Sequence, residues 1–234
     1  MTYAVIAALA NVAGAAAITW RRRWGVRTLE TMVALAAGFM LAVAFTEILP
    51  EAIRRGGVQA ASGALAGYML VHLTQHTFAP HFHFGEETHE VSATASVSAL
   101  IGLLMHTFVD GVAIASGFIV SHALGVLIFI AVVLHKLPEG LAISSLFLAA
   151  GATRGRAMWA ATSLGAATII GALVGAQLSN LATAGLALSA GVTIYVAASN
   201  LVPEFQATRG WRLPVAFFAG SALFFAVRSL VPEA

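Results

Sequence analysis

Residues 35–51 read LAAGFMLAVAFTEILPE and residues 188–204 read LSAGVTIYVAASNLVPE; the two stretches align without gaps at an offset of 153 and agree at seven of seventeen positions. Each is apolar over most of a bilayer crossing, and each ends on Pro-Glu. The same offset sets Ala66-Gly67 on Ala219-Gly220 in the following apolar span. Helix packing through small residues produces Gly and Ala coincidences by itself. It does not require shared Pro-Glu endings, so a true internal repeat is the better reading.

The rest of the chain continues in the same style. Of its 234 residues, 59% are hydrophobic and 9% charged, against roughly 25% charged in a soluble domain. Apolar spans run over Tyr3–Trp20, Thr28–Pro50, Val58–Ala79, Thr94–Val120, Ala123–Ala150, Ala157–Leu178, Leu181–Pro203 and Arg212–Val231. At about 20 residues per crossing these predict eight transmembrane helices in one membrane domain spanning residues 1–234. Helices one to three then correspond to six to eight, and the copies lie five helices apart. An odd shift reverses direction across the bilayer, so the expected fold is an all-α inverted repeat around central helices four and five, with a site near the midplane.

Charge placement predicts orientation. Arg21, Arg22, Arg23, Arg27, Arg154, Arg156, Arg209 and Arg212 fall on one side of such a bundle, and Arg54, Arg55 and Arg228 on the other. The arginine-rich side is expected to be cytoplasmic, with both termini outside. Arg21–Arg23 also follow the first span, the reverse of a signal peptide's charge order, so that span is kept as a helix. The net charge of +2 comes from arginines flanking apolar segments rather than from a basic face, and no nucleic-acid partner is expected. There are no cysteines, which excludes thiolate nucleophiles, Cys-ligated zinc and iron–sulfur clusters.

The central helices carry the chemistry. Residues 106–116 read HTFVDGVAIAS and residues 135–145 read HKLPEGLAISS, so an offset of 29 sets His on His, Asp on Glu and Gly-x-Ala-Ile on itself. In each, the imidazole and the carboxylate stand four residues apart, one turn along the same helix face. His106, Asp110, His135 and Glu139 on two facing helices offer two nitrogens and two carboxylates to one divalent cation: zinc, iron(II), manganese or cadmium. Charges at a helix centre cost about 2.5–3.5 kcal/mol each on insertion scales. One such residue reads as a structural hydrogen bond; two matched pairs read as a metal site. Neutral imidazoles are needed for ligation, so binding should weaken below about pH 6.5.

The run His106-xxx-Asp110-Gly111 followed by His135-xx-Pro138-Glu139-Gly140 resembles the paired signature of the ZIP (Zrt/Irt-like) divalent-metal transporters. The eight spans, the outward termini, the histidine-bearing loop after span three and the Pro-Glu endings agree with that family. The resemblance implies metal movement into the cytoplasm across the plasma membrane (the inner membrane in bacteria), by an elevator-like motion of helices one, four, five and six past two, three, seven and eight. The metal is then transported substrate and no catalytic cofactor is expected; the partners are divalent ions and lipid, and a homodimer is compatible with the family.

Two positions depart from the family pattern. Lys136 stands where members with two metals typically carry a carboxylate, and Thr107 stands where Asn is frequent; helix six has no acid. Asp110, Glu139 and Lys136 sum to −1, whereas a carboxylate at 136 would give −3. A single-metal site is therefore expected, with Lys136 also able to pair with Glu139 three residues on. Pro138 removes an amide inside helix five and frees the Leu134 carbonyl.

Accessory candidates surround this centre. Glu47 lies near the outer end of helix two, with Asn200 and Glu204 as counterparts at the inner mouth (Glu204 matching Glu51). Met40 offers a thioether, although packing explains most such methionines. His72, His76, His81, His83 and His89 run into a cytoplasmic loop at about 80–93 that can capture ions, with simple disorder as the rival reading. An intramembrane zinc hydrolase is the main alternative function, but His-Glu-x-x-His is missing. A bis-His haem site is disfavoured by the paired carboxylates.

Overall fold

The structure is a computed structural model that describes residues 1–20, 26–78, 93–203 and 210–231. Among these residues it consists of helices and the short turns that join them, with no strand. α1 is Thr2–Trp20. α2 runs over Val26–Val43, passes through a π-helical turn at Ala44–Ile48 and continues as Leu49–Gly56. α3 is Val58–Phe78, α4 is Ala93–Val120, α5 is His122–Ala149 and α6 is Arg154–Gln177. A 3₁₀ turn, Ser179–Leu181, leads into α7 at Ala182–Tyr195, which passes into a second π-helical turn at Val196–Leu201. α8 is Arg212–Leu230.

Seven of the described helices are long and apolar enough to cross a membrane. α3 forms as a helix of 21 residues where the third span is expected, but it is not one of the seven. Gln59, Ser62, His72, Gln75 and His76 make it more polar than its neighbours. α2 outruns its expected end at Pro50. The π turn precedes Pro50, so the proline falls in the first turn of the next segment, where its missing N–H is no loss. The helix ends instead at Gly57, whose φ of 61° suits glycine and whose N–H bonds the Ile53 carbonyl.

The helices pack in two groups. α1, α4, α5 and α6 form one, in which α1 lies against α5 and α6, and α4 against α5 and α6. In the other, α2 packs on α8 and α3 on α7, with the π turns tying α2 to α7. Contacts of α4 with α7 and of α2 with α5 join the groups. α2 and α8 run parallel: Arg212 bonds the Arg27 carbonyl and pairs with Glu30 at their starts, and Arg228 pairs with Glu47 at 2.6 Å near their ends.

Backbones approach closely where side chains vanish, since apolar helices in lipid associate mainly through such packing. A Cβ on Gly38 would overlap the Phe217 carbonyl oxygen, and one on Gly191 would overlap that of Ala64. Adding 153 to 38 and to 64 interchanges the two contacts. The pair formed by Gly220 with Leu35 and Gly67 with Leu188 obeys the same rule. The π turns follow it to within one residue, since 44–48 becomes 197–201 and the second turn spans Val196–Leu201.

Candidate metal site

α4 and α5 each have 28 residues, and His106 and His135 are the fourteenth of each. Only Ser121 separates the helices; its extended backbone reverses the chain and its hydroxyl caps α5 by accepting from the Leu124 N–H at 3.1 Å. An antiparallel hairpin of equal arms sets residues at the two midpoints level with each other. The imidazole rings accordingly lie with centroids 5.4 Å apart.

Asp110 is the hub of the cluster. Its Oδ2 lies 3.3 Å from His106 Nε2, 3.2 Å from His135 Nε2 and 2.6 Å from Lys136 Nζ. Lys136 also donates to Glu139 Oε2 at 2.7 Å, so one ammonium bridges both carboxylates. His106 and Asp110 are 3% exposed, His135 is 5% exposed and Lys136 is fully enclosed. Ligand atoms of His106, Asp110, His135 and Glu139 all lie within 4.8 Å of one another. Tetrahedral zinc with ligands at about 2.0–2.1 Å separates its donors by roughly 3.3 Å, so the widest separation in the cluster would have to shrink by up to about 1.5 Å.

The polar atoms of the cluster are held by their neighbours unequally. His135 Nδ1 lies 2.9 Å from the Ala131 carbonyl, an oxygen that only accepts, so Nδ1 carries a proton there and the ring is oriented with Nε2 toward Asp110 Oδ2. Neither His106 nitrogen nor Glu139 Oε1 has a hydrogen-bond partner among the described residues, although buried polar groups nearly always find one.

A sequence profile of the ZIP zinc transporter family matches residues 80–231, more than half of the chain. The chain belongs to the ZIP family. No individually curated protein matches it. ZIP proteins are transporters of divalent metals rather than enzymes, and the buried His, Asp and Glu cluster of this ZIP protein lies inside the matched segment.

The remaining candidates fall in varied places in the ZIP chain. Thr107 is buried and its hydroxyl returns to the Leu104 carbonyl of its own helix. Met40 is enclosed in an apolar core with Phe39 and Val43. Glu47 is held by Arg228 at 2.6 Å, and Glu51 by Arg54 and Arg55. Asn200 is half-buried at the second π turn. His72 lies beside Tyr195, with Nδ1 3.5 Å from the hydroxyl, and Tyr68 bonds Ser199 at 3.1 Å. His76 is in α3, its side chain not described; His81, His83, His89 and Glu204 lie outside the described residues, as does the expected loop.

One residue near the centre escaped the sequence reading. Asn11 of α1 is fully buried, and its backbone carbonyl lies where a Cβ on Gly140 would fall, beside Glu139. The Thr168 carbonyl of α6 lies in the same way on Gly111, beside Asp110. The available signal was an amide on a face otherwise made of Ala4, Ala7, Ala8, Gly14 and Ala15.

Proposed function

We propose that this ZIP protein carries one divalent transition-metal ion per cycle, zinc by preference and cadmium, iron or manganese as alternatives, into the cytoplasm through a site made by His106, Asp110, His135 and Glu139. The observation that carries this reading is the convergence of those four donors within 4.8 Å of one another near the middle of two adjacent helices. The ligands come from α4 and α5, which pack with α1 and α6. These four helices move as the carrier against α2, α3, α7 and α8, and eight crossings, α3 included, complete the fold. The interchange of glycine contacts under the 153-residue offset supports an inverted repeat. The arginine-rich ends face the cytoplasm and both termini lie outside.

Lys136 sets the charge of the cycle. Without metal, its ammonium balances Asp110 and Glu139; a dication displaces it and takes both carboxylates. An ammonium beside the ion also repels a second cation, so the site holds one metal. Lys136→Asp changes the formal sum from −1 to −3 and should raise bound zinc from one to two per chain, as measured by equilibrium dialysis with elemental analysis. Unchanged stoichiometry contradicts the charge argument. Glu47 receives no ligand role, because Arg228 holds it.

Uptake into proteoliposomes tests the function. Zinc, cadmium, iron(II) and manganese compete for entry in the wild type, and alanine at any of the four positions removes entry. Peptide or ester cleavage without ion flux selects the hydrolase instead.

A further inference from the structure

We infer that Asn11 is a positioning residue for the metal site, its amide holding the Glu139 carboxylate in the metal-bound arrangement; this rests on the reading of His106, Asp110, His135 and Glu139 as ligands. The buried face of α1 is Ala4, Ala7, Ala8, Asn11, Gly14 and Ala15. Alanine and glycine satisfy the packing everywhere else on that face, so close approach does not explain an asparagine. Asn11 is 0% exposed, and neither its Oδ1 nor its Nδ2 has a hydrogen-bond partner among the described residues. A bare buried amide is unfavourable in any protein and more so within a bilayer.

A complementary group lies on the neighbouring helix. The Asn11 backbone meets Gly140, and the adjacent Glu139 directs one oxygen to Lys136 and leaves Oε1 buried without a partner. An unpaired N–H donor and an unpaired carboxylate oxygen thus sit on two helices in contact at one level. When metal displaces Lys136 from Glu139, the carboxylate loses its donor; the Asn11 amide supplies one, directly or through a single water, and fixes which oxygen faces the ion. The matching position on α6 behaves differently. Thr168 lies on Gly111 as Asn11 lies on Gly140, but its hydroxyl is spent on the Leu164 carbonyl at 3.3 Å. The two halves of the site are therefore unequal, and Glu139 alone receives support from outside the hairpin.

Cobalt(II) binding to the purified full chain tests this, because its visible spectrum reports ligand geometry as well as occupancy. Asn11→Ala should weaken cobalt affinity about tenfold and alter the d–d bands, with thermal stability unchanged or raised. Asn11→Ser, which restores a donor, should recover part of both. Wild-type affinity and spectrum in Asn11→Ala overturn the inference, as do losses in both variants that merely track lowered thermal stability. A wild-type protein that binds no cobalt, or binds it undisturbed by His135→Ala, overturns the ligand reading instead.

Discussion

Asp110→Asn is expected to lower zinc uptake to the level of protein-free vesicles while the protein stays folded. The substitution keeps the shape of the side chain and removes one negative charge. Asp110 Oδ2 is the single atom that faces both imidazoles and the lysine, at 3.3, 3.2 and 2.6 Å. Without its charge the formal sum of Asp110, Glu139 and Lys136 becomes zero, and the two histidines lose the anion that faces them both. Zinc affinity should fall at least a hundredfold, about 2.7 kcal/mol. Size-exclusion profiles and thermal melting measured beside uptake separate this loss from misfolding. Retained uptake at unchanged zinc affinity would remove Asp110 from the site.

Gly140→Ala should prevent α1 and α5 from packing, although alanine is ordinarily the better helix residue. In an open helix the change is worth about 0.5–1 kcal/mol in favour of alanine. At position 140 the new methyl would overlap the Asn11 carbonyl oxygen, and both partners are backbone, so the helices themselves must separate. Overpacking of this kind costs about 1–3 kcal/mol where side chains can adjust, and more is expected where they cannot. Gly155→Ala is the control: that exposed glycine of α6 meets only the Thr153 hydroxyl at 3.9 Å. Thermal melting in detergent should show Gly140→Ala strongly destabilised and inactive, with Gly155→Ala neutral or improved. Equal stability of the two would contradict the close approach.

The parts of this account legible in the sequence are those with a period or a matched spacing. Apolar length announced the helices, and the four-residue spacing of His106 with Asp110 and of His135 with Glu139 announced a shared face. The lysine pairing with Glu139 followed from spacing along one helix. Its second partner, Asp110, belongs to the facing helix and depends on how α4 and α5 dock, which no local spacing reveals. The continuation of α2 beyond Pro50 was hidden because proline reads as a stop, whereas a π turn moves it into a tolerated position. The pairing of Glu47 with Arg228 joins residues 181 apart, and in the sequence Arg228 registers only as a charge on one side of the membrane. Asn11 was passed over because one amide in an apolar helix carries no pattern until its neighbours are known.

The claim on which the rest depends is that both imidazoles bind the transported ion, and zinc-edge X-ray absorption on protein loaded with one equivalent of zinc tests it most directly. The expected spectrum has only nitrogen and oxygen neighbours at about 2.0–2.1 Å, with outer-shell imidazole scattering that is lost when His106 and His135 are both replaced by alanine. Sulfur scattering from a methionine, or imidazole scattering that survives the double replacement, would contradict it.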